Sequence, residues 1–221
     1  MKGVLVTFEG TEGSGKSTHI ELLARRLRAN GRSVRVLREP GGTPIGEEIR
    51  HTLKHSQQNQ AMTPEAELLL MNASRAQLVR EVIRPALAAG EAVLCDRFFD
   101  STIAYQGGGR RLDLDRVRAI VDFAVGATRP DLTILLLVPL AVSEARRRSR
   151  QAAGAPVRDR FEEADRDFFE RVEQSYRSIA AAEPERVYAI DSTQPLEAVE
   201  AAVWQRVEGL LVGTNPNPGT T

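Results

Sequence analysis

The chain has 221 residues, a length that suits one domain with a substantial buried core. Its 30 basic and 30 acidic residues give a formal net charge of zero, so no overall field favours binding to nucleic acid or to an anionic membrane surface. A single cysteine, the lack of any apolar run near ~18 residues and a first segment that leads directly into a strand predict a cytoplasmic protein without disulfides, signal peptide or membrane partner.

The first predicted element is a short buried strand, Val4 to Phe8, which leads through a glycine-rich turn into a helix. The turn fits the pattern G-x-x-x-x-G-K-[ST], with its fixed positions at Gly10, Gly15, Lys16 and Ser17. Glycine leaves no Cβ between backbone amides and a ligand, so successive N–H groups converge on a phosphate at the positive end of the helix. A flexible linker would not be framed by a strand and a helix, so we interpret the turn as a phosphate-binding loop.

This loop predicts how ATP and a metal ion are bound. Lys16, one of only three lysines in the chain, would reach the β- and γ-phosphates, and the Ser17 hydroxyl would hold Mg²⁺. The residues that we assign to ATP binding are Gly10, Thr11, Glu12, Gly13, Ser14, Gly15, Lys16, Ser17 and Thr18.

The next predicted elements are a strand over 33–38 and two helices. Residues 39–44 between them have the composition of an ordinary turn. The first helix covers about 45–53, and the second, opened by a Thr-Pro pair, covers about 63–89. Arg75 lies inside the second helix, where a solvated arginine is the usual case.

The third predicted strand, Ala92 to Asp96, is apolar and ends in an acid. A carboxylate at such a strand end holds Mg²⁺ directly or through water in phosphate-binding-loop enzymes, so Ser17 and Asp96 are the predicted metal ligands. Residues 97–111 are dense in polar side chains and glycine, and we predict a loop there before a helix over about 113–125.

The most hydrophobic segment, Leu132 to Val138, predicts a strand buried on both faces, as in a parallel sheet. A helix near 168–179, a strand at 187–190 and a terminal helix complete the pattern. The alternation predicts one α/β domain over residues 1–212, with three αβα layers around a five-stranded, mostly parallel sheet, and a disordered tail over 213–221. Ligands bind at the carboxyl ends of the strands in such folds.

Arginines crowd both sides of a segment rich in glycine, alanine and proline. Arg146 to Arg150 precede the segment 151–157, and Arg158 and Arg160 follow it. Such a charge run is usually a solvated face. The alternative is a lid over about 146–160 that closes over phosphates, excludes water and brings cations to the transition state.

A phosphate-binding loop is compatible with a kinase, a GTP-dependent switch or an ATP-driven machine. No asparagine is followed by lysine, so the Asn-Lys-x-Asp sequence with which GTPases read guanine is absent. A mechanical ATPase needs partners or extra domains, for which a single domain leaves little room. Polar loops at 39–44 and 97–109 for a second pocket, and arginines for a lid, favour a small-molecule kinase.

Several short segments occur together in the order of one kinase family. They are Phe8–Thr18, Arg38–Thr43, Ser74–Gln77, Asp96-Arg97 with Ser101–Gln106, Asp159–Glu162 and Asp191–Pro195. On these segments the sequence resembles the thymidylate kinases (dTMP kinases), a family of nucleoside monophosphate kinases, over about residues 3–211. The resemblance implies transfer of the γ-phosphoryl group of ATP to dTMP, giving dTDP and ADP for dTTP biosynthesis, by a homodimer.

The resemblance also implies a binding site for dTMP. Glu12 would lie near the 3′-hydroxyl of the sugar, and Arg75 and Arg97 would hold or position the phosphate. Glu39 and Pro40, whose peptide bond is often cis in the family, would form the floor of the nucleoside pocket. The full set assigned to dTMP is Glu12, Glu39, Pro40, Met71, Arg75, Arg97, Thr102, Tyr105 and Gln106.

Met71 departs from the family, which commonly has a phenylalanine there that stacks on thymine. A methionine can make a sulfur–aromatic contact of about 0.3–1.5 kcal/mol, but it is not a rigid platform. The other interpretation is that Met71 is an ordinary core residue of a helix. The choice between dTMP and dUMP is therefore less defined by the sequence than the reaction is.

Gly13 occupies a position at which some members of the family carry an arginine. Members with glycine there supply catalytic arginines from the lid. The resemblance also implies that the stretch after Asp191 in this chain borders the adenine of ATP. We therefore predict that one or two lid arginines act as an arginine finger, beside Lys16 and Arg97 as catalytic residues. The candidate lid arginines are Arg147, Arg150, Arg158 and Arg160.

Two other functions stay open on the sequence alone. One is a different nucleoside monophosphate or deoxynucleoside kinase of similar architecture. The other is a nucleotide-binding switch with little turnover. A panel of phosphate acceptors, assayed with ATP, separates the three.

Overall fold

The computed structural model describes residues 2–152 and 165–213, and it arranges five strands in one sheet with the order β2-β3-β1-β4-β5. Each pairing of neighbouring strands is parallel, so the described sheet is parallel throughout rather than mostly so. The strands are β1 (Val4–Glu9), β2 (Val34–Arg38), β3 (Ala92–Asp96), β4 (Leu132–Leu137) and β5 (Val187–Asp191).

Helices cover both faces of the sheet, which confirms the three-layer α/β fold. Val4, Val6 and Phe8 of β1 pack on one face against the first and last helices, whereas Leu5 packs on the other. This alternation follows from the two-residue period of a strand. The helices are α1 (Lys16–Ala29), α2 (Pro44–Lys54), α3 (Pro64–Leu78), α4 (Arg84–Ala88), α5 (Phe99–Thr102), α6 (Leu114–Val125), α7 (Leu140–Ala152), α8 (Arg166–Ala182) and α9 (Leu196–Gly213).

The predicted long helix begins where the sequence indicates. Thr63 caps α3, because its side chain accepts a hydrogen bond from the amide of Ala66, and Pro64 occupies the first turn. The helix continues through a wide π-type turn, Val79–Ile83, into α4. Pro85 in α4 lacks an N–H and its ring needs room near the preceding turn, which gives a physical reason for the wider turn.

The prediction of a loop over residues 97–111 is wrong, because most of this segment is helical. It forms α5 and continues as a π-type helix, Ile103–Gly109. The glycines that suggested a loop allow close packing against α8 instead. A Cβ at Gly108 would lie 2.7 Å from the Cβ of Ser175, and one at Gly109 would overlap the ring of Phe168.

The predicted lid falls partly on a helix, because residues 146–152 belong to α7. Residues 153–160 of the lid and residues 214–221 of the tail lie outside the described residues, so the lid, the tail and the domain bounds stay predictions. Within the described ranges, none of the helices has the length and apolar character needed to cross a membrane.

Candidate active site

The glycine loop lies between β1 and α1 and bends through left-handed backbone conformations. Gly10, Gly13 and Gly15 have φ angles of +133°, +78° and +94°, and residues that carry a Cβ rarely adopt such backbone conformations. Lys16 is buried and folds back over the loop, where its Nζ donates to the carbonyls of Gly10 at 3.1 Å and Thr11 at 3.0 Å. Burial, with the nearby Arg97 guanidinium, lowers the pKa of Lys16.

Ser17 and Asp96 meet at the carboxyl edge of the sheet, because Phe8 of β1 pairs in register with Asp96 of β3. The Ser17 hydroxyl donates to Oδ2 of Asp96 at 3.1 Å, and Oδ1 of the same carboxylate is buried without a hydrogen-bond partner. A hard cation such as Mg²⁺ binds such oxygens and usually keeps water and phosphate oxygens as further ligands. The Ser17 hydroxyl and the Asp96 carboxylate therefore fit a partial coordination shell. Among the described residues no group of three or more His, Cys, Asp or Glu could hold a metal ion.

A cavity of about 630 Å³ opens in front of the loop, and five cationic side chains and three acidic ones line it. Glu12, Gly13 and residues 15–18 line it on the loop side, while Gly10, Thr11 and Ser14 form the buried back of the loop. The sequence analysis missed part of its wall, because α2 and the end of β2 supply three further cations. They are Arg38, Arg50 and Lys54.

A second cavity of about 450 Å³ adjoins the first. Every residue assigned to dTMP lines it, together with Lys54 and Ser101. The two cavities share Glu12, Glu39, Lys54 and Arg97 in their walls. Met71 both packs against the core under α8 and lines this second cavity, so the two interpretations of this residue are compatible.

Arg97 lies where the two cavities meet and is held by four side chains. Its Nη2 donates to Oε1 of Glu12 at 2.8 Å and to the Tyr105 hydroxyl at 3.2 Å, and its Nη1 donates to Ser101 Oγ at 3.0 Å and the Tyr176 hydroxyl at 3.3 Å. Its φ of +69° is uncommon for a residue other than glycine and is typical of functional sites. Burial favours the neutral acid of Glu12, but the cations of Arg97 and Lys16 outweigh it and hold the pKa of Glu12 below its ordinary value.

Glu9 and Tyr176 are site residues that the sequence analysis missed. Glu9 is fully buried at the end of β1, where its Oε1 accepts from the amides of Phe98 at 2.7 Å and Ser101 at 3.2 Å. Its Oε2 accepts from the hydroxyls of Ser101 at 2.6 Å and Tyr176 at 2.8 Å. Burial and the nearby Asp100 raise the pKa of Glu9. An acid at the end of an apolar strand was the available signal, and its role is to fix two partners of Arg97.

Arg75 is not a solvated helix residue, because it is only 2% exposed. Its Nε and Nη2 contact Oε2 of Glu39 at 2.8 and 2.6 Å. Its remaining bonds run to Asn72 Oδ1 and Thr102 Oγ1, both at 2.9 Å, and to the Phe98 carbonyl at 3.1 Å. Four of the five N–H groups of the guanidinium donate hydrogen bonds inside the protein, and Nη2 also lies in ion-pair contact with Glu39, which favours a positioning role over phosphate binding.

Glu39, opposite Arg75, lies in a cis peptide with Pro40, as the resemblance implies for this position. Its Oε1 is buried without a hydrogen-bond partner. Burial raises the pKa of Glu39 to about 7, although the Arg75 cation opposes the shift.

Helix α7 and the segment after β5 brace the outer side of the loop. Ser143 Oγ donates to the Glu12 carbonyl at 2.5 Å, and Arg146 donates to the carbonyls of Gly13 at 3.3 Å and Ser192 at 2.9 Å. A third cavity of about 900 Å³ runs along this side, with Ser192 and Gln194 in its wall. The stretch after Asp191 thus borders a cavity beside the loop. The side chains of the lid candidates Arg147, Arg150, Arg158 and Arg160 lie outside the described residues.

Comparison with known proteins gives a consistent result. Residues 8–203 match the family profile described as Thymidylate kinase. A thymidylate kinase of Pseudomonas entomophila is 48% identical over 211 residues, which cover 96% of this chain and 98% of the relative. One of Alcanivorax borkumensis is 48% identical over 208 residues, which cover 94% of this chain and 97% of the relative. A crystal structure of thymidylate kinase from Ehrlichia chaffeensis superposes with a TM-score of 0.73 at 30% identity, covering 94% of this chain and 99% of that one. The chain therefore belongs to the thymidylate kinase family.

Proposed function

We propose that this chain transfers the γ-phosphoryl group of ATP to dTMP, giving dTDP and ADP in the synthesis of dTTP. The observation that carries this proposal is the junction of two cavities, one at a phosphate-binding loop and one lined by every residue assigned to dTMP, with Arg97 and Lys54 in the wall of both. Family membership supports the same reaction. The cytoplasm is the proposed location, since a single buried cysteine suits a reducing compartment.

Phosphoryl transfer depends on position and charge, and the residues of this site supply both. The loop amides and Lys16 would bind the phosphates of ATP, while the second cavity would orient dTMP with its phosphate toward Arg97. Two anionic groups repel each other, so the cations at the junction are needed to bring them in line. Glu12 and the hydroxyls around Arg97 keep the guanidinium in one orientation, which avoids reorganisation during the reaction.

Mg²⁺ is the proposed metal ion, with Ser17 and Asp96 as the side chains that would hold it. The free Oδ1 of Asp96 supports this assignment. When bound, Mg²⁺ neutralises charge on the β- and γ-phosphate oxygens.

The proposal is tested by a coupled assay with ATP and a panel of dTMP, dUMP, AMP, CMP, GMP and thymidine. We expect turnover with dTMP, and we expect Lys16→Ala to lower kcat by about 10²–10³-fold, because one charged donor to the transferred phosphate is lost. Lys2→Ala, at an exposed position before β1, is the matched control and should retain full activity. Preference for another acceptor, or an active Lys16→Ala enzyme, would contradict the proposal.

We also propose a homodimer formed through α2, α3 and α6. Helix α3 packs between the other two, and each helix exposes a large apolar side chain: Ile45 is 55%, Leu69 57% and Phe123 84% exposed. Exposed apolar groups on adjacent helices are typical of a subunit interface. Light scattering should give twice the chain mass of 24.3 kDa for the natural protein. For Phe123→Asp the measured mass should shift from the dimer value toward that of a single chain. Val212→Asp, at an exposed position of α9, should leave the mass unchanged, and a monomeric natural protein would rule the dimer out.

A further inference from the structure

His19 lies in the first turn of α1, directly after the phosphate-binding loop. Its backbone N–H donates to the Gly15 carbonyl at 3.1 Å, and its side chain is only 4% exposed. The sequence analysis gave it no role. The other two histidines of the chain, His51 and His55, are exposed residues at the end of α2.

The two edges of the His19 ring face different surroundings. Cδ2 and Nε2 lie 3.5 and 3.8 Å from the position that a Cβ on Gly15 would occupy, next to the hydroxyl of Ser192. This edge borders the cavity of about 900 Å³ beside the loop. His19 also lines a small cavity together with Glu200 and Trp204 of α9, and Nδ1 of its ring is buried without a hydrogen-bond partner.

This asymmetry decides which nitrogen carries the proton. A neutral imidazole has one donor nitrogen and one acceptor nitrogen. A buried N–H without an acceptor is rarer in proteins than an acceptor without a donor, so Nδ1 is the acceptor and Nε2 carries the hydrogen. The ring therefore presents an N–H donor at the rim of the phosphate-binding loop.

The position of this donor relative to the loop indicates its ligand. Side chains of a helix lean toward its N-terminus, which places the His19 ring over Gly15 rather than over its own Cα. The loop and the first turn of α1 would surround the phosphates of ATP, and the cavity beside them extends along Arg146 and Ser192. A nucleoside triphosphate with its terminal phosphates in the loop and its nucleoside in this cavity would bring its α-phosphate past this rim.

We propose that His19 is a binding residue for the phosphate donor, whose Nε2–H donates a hydrogen bond to an α-phosphate oxygen of ATP. The inference rests on the proposed function only in placing a nucleoside triphosphate in the cavity beside the loop. The His19 side chain would add one contact with ATP to the backbone contacts that the loop supplies.

Two substitutions at this position separate the hydrogen bond from the space that the ring fills. In His19→Gln the amide nitrogen reaches about the position of Nε2, whereas in His19→Asn it stops near Nδ1. We expect His19→Asn to raise KM for ATP about tenfold, the effect of one hydrogen bond to a charged group. KM for dTMP should stay unchanged, and His19→Gln should remain within about twofold of the natural enzyme. Equal KM values for ATP in both variants and the natural enzyme would overturn the proposal.

A measurement on the natural protein keeps the proposal testable if a variant fails to fold. With only three histidines, the imidazole signals can be followed by nitrogen-detected NMR during addition of ADP. We expect the Nε2 signal of His19 to shift, with those of His51 and His55 unchanged as internal controls, and an unmoved His19 signal would overturn the contact. The two proposals fail separately, because an ADP-dependent shift in a protein that does not phosphorylate dTMP would leave the His19 contact standing.

Discussion

We expect that, when each of four lid arginines is replaced by alanine in a separate variant, kcat falls by about 10³-fold or more in one or two of the four. An arginine finger stabilises the negative charge that spreads over the transferred phosphoryl group, and it does so in the transition state rather than in the bound substrate. The loss should therefore appear in kcat with KM for ATP little changed. The four residues are Arg147, Arg150, Arg158 and Arg160.

The geometry around Gly13 supports a finger from outside the glycine loop. Gly13 has a φ of +78°, and a Cβ there would lie 2.9 Å from the carbonyl oxygen of Ser143. An arginine at this position would need both a strained backbone and a displaced α7. Arg146, the first arginine of the run, is already hydrogen-bonded to the carbonyls of Gly13 and Ser192. The four lid arginines are therefore candidates for the finger, in addition to the cations Arg38, Arg50 and Lys54 in the wall of the cavity.

Arg148 provides the matched control, because its side chain is exposed and it belongs to the same run on α7. Arg148→Ala should keep kcat within about twofold, as is usual for exposed residues without a specific role. Steady-state kinetics of the five variants, with both substrates saturating, decides the question. Uniformly mild effects in the four candidates, or an equal loss in Arg148→Ala, would show that the lid supplies no finger.

The convergence of the site on one edge of the sheet was predictable from the sequence. The glycine loop follows β1 and Asp96 ends β3, and carboxyl ends of parallel strands meet at one edge. The start of α3 was also predictable, because Thr63 and Pro64 mark it and a helix cap involves neighbouring residues only.

The partners of buried polar groups were not predictable, because they come from distant parts of the chain. Tyr176 on α8 reaches Glu9 and Arg97, and Arg75 reaches Glu39 and Thr102. No local pattern marks such pairs. The helix over 99–109 was missed for a related reason, since its glycines are explained by the approach of α8 and not by their own neighbours.

We expect Arg75→Met to lower the free energy of unfolding by about 3–5 kcal/mol, the usual cost of removing one partner of a buried ion pair. The substitution keeps much of the side-chain volume but leaves Oε2 of Glu39 without its cation, and it removes the donor to Asn72 and Thr102. The double variant Glu39→Gln with Arg75→Met should lose less, because a neutral amide carries no buried charge. Urea unfolding of the single and double variants measures the difference.

The pH dependence of this pair gives a second measure with a definite sign. The pKa of Glu39 is raised to about 7 in the folded protein, so between its unfolded value of 4.5 and about 7 the folded state holds a proton that the unfolded state releases. Its contribution to stability is therefore full below pH 4.5 and is lost as the pH rises toward about 7. Glu39→Gln should remove this decline, whereas in Arg75→Met the destabilisation should grow from pH 6 to pH 8, because nothing then favours the carboxylate. A destabilisation by Arg75→Met that is equal at both pH values, and equal in the double variant, would mean that Arg75 acts through packing alone.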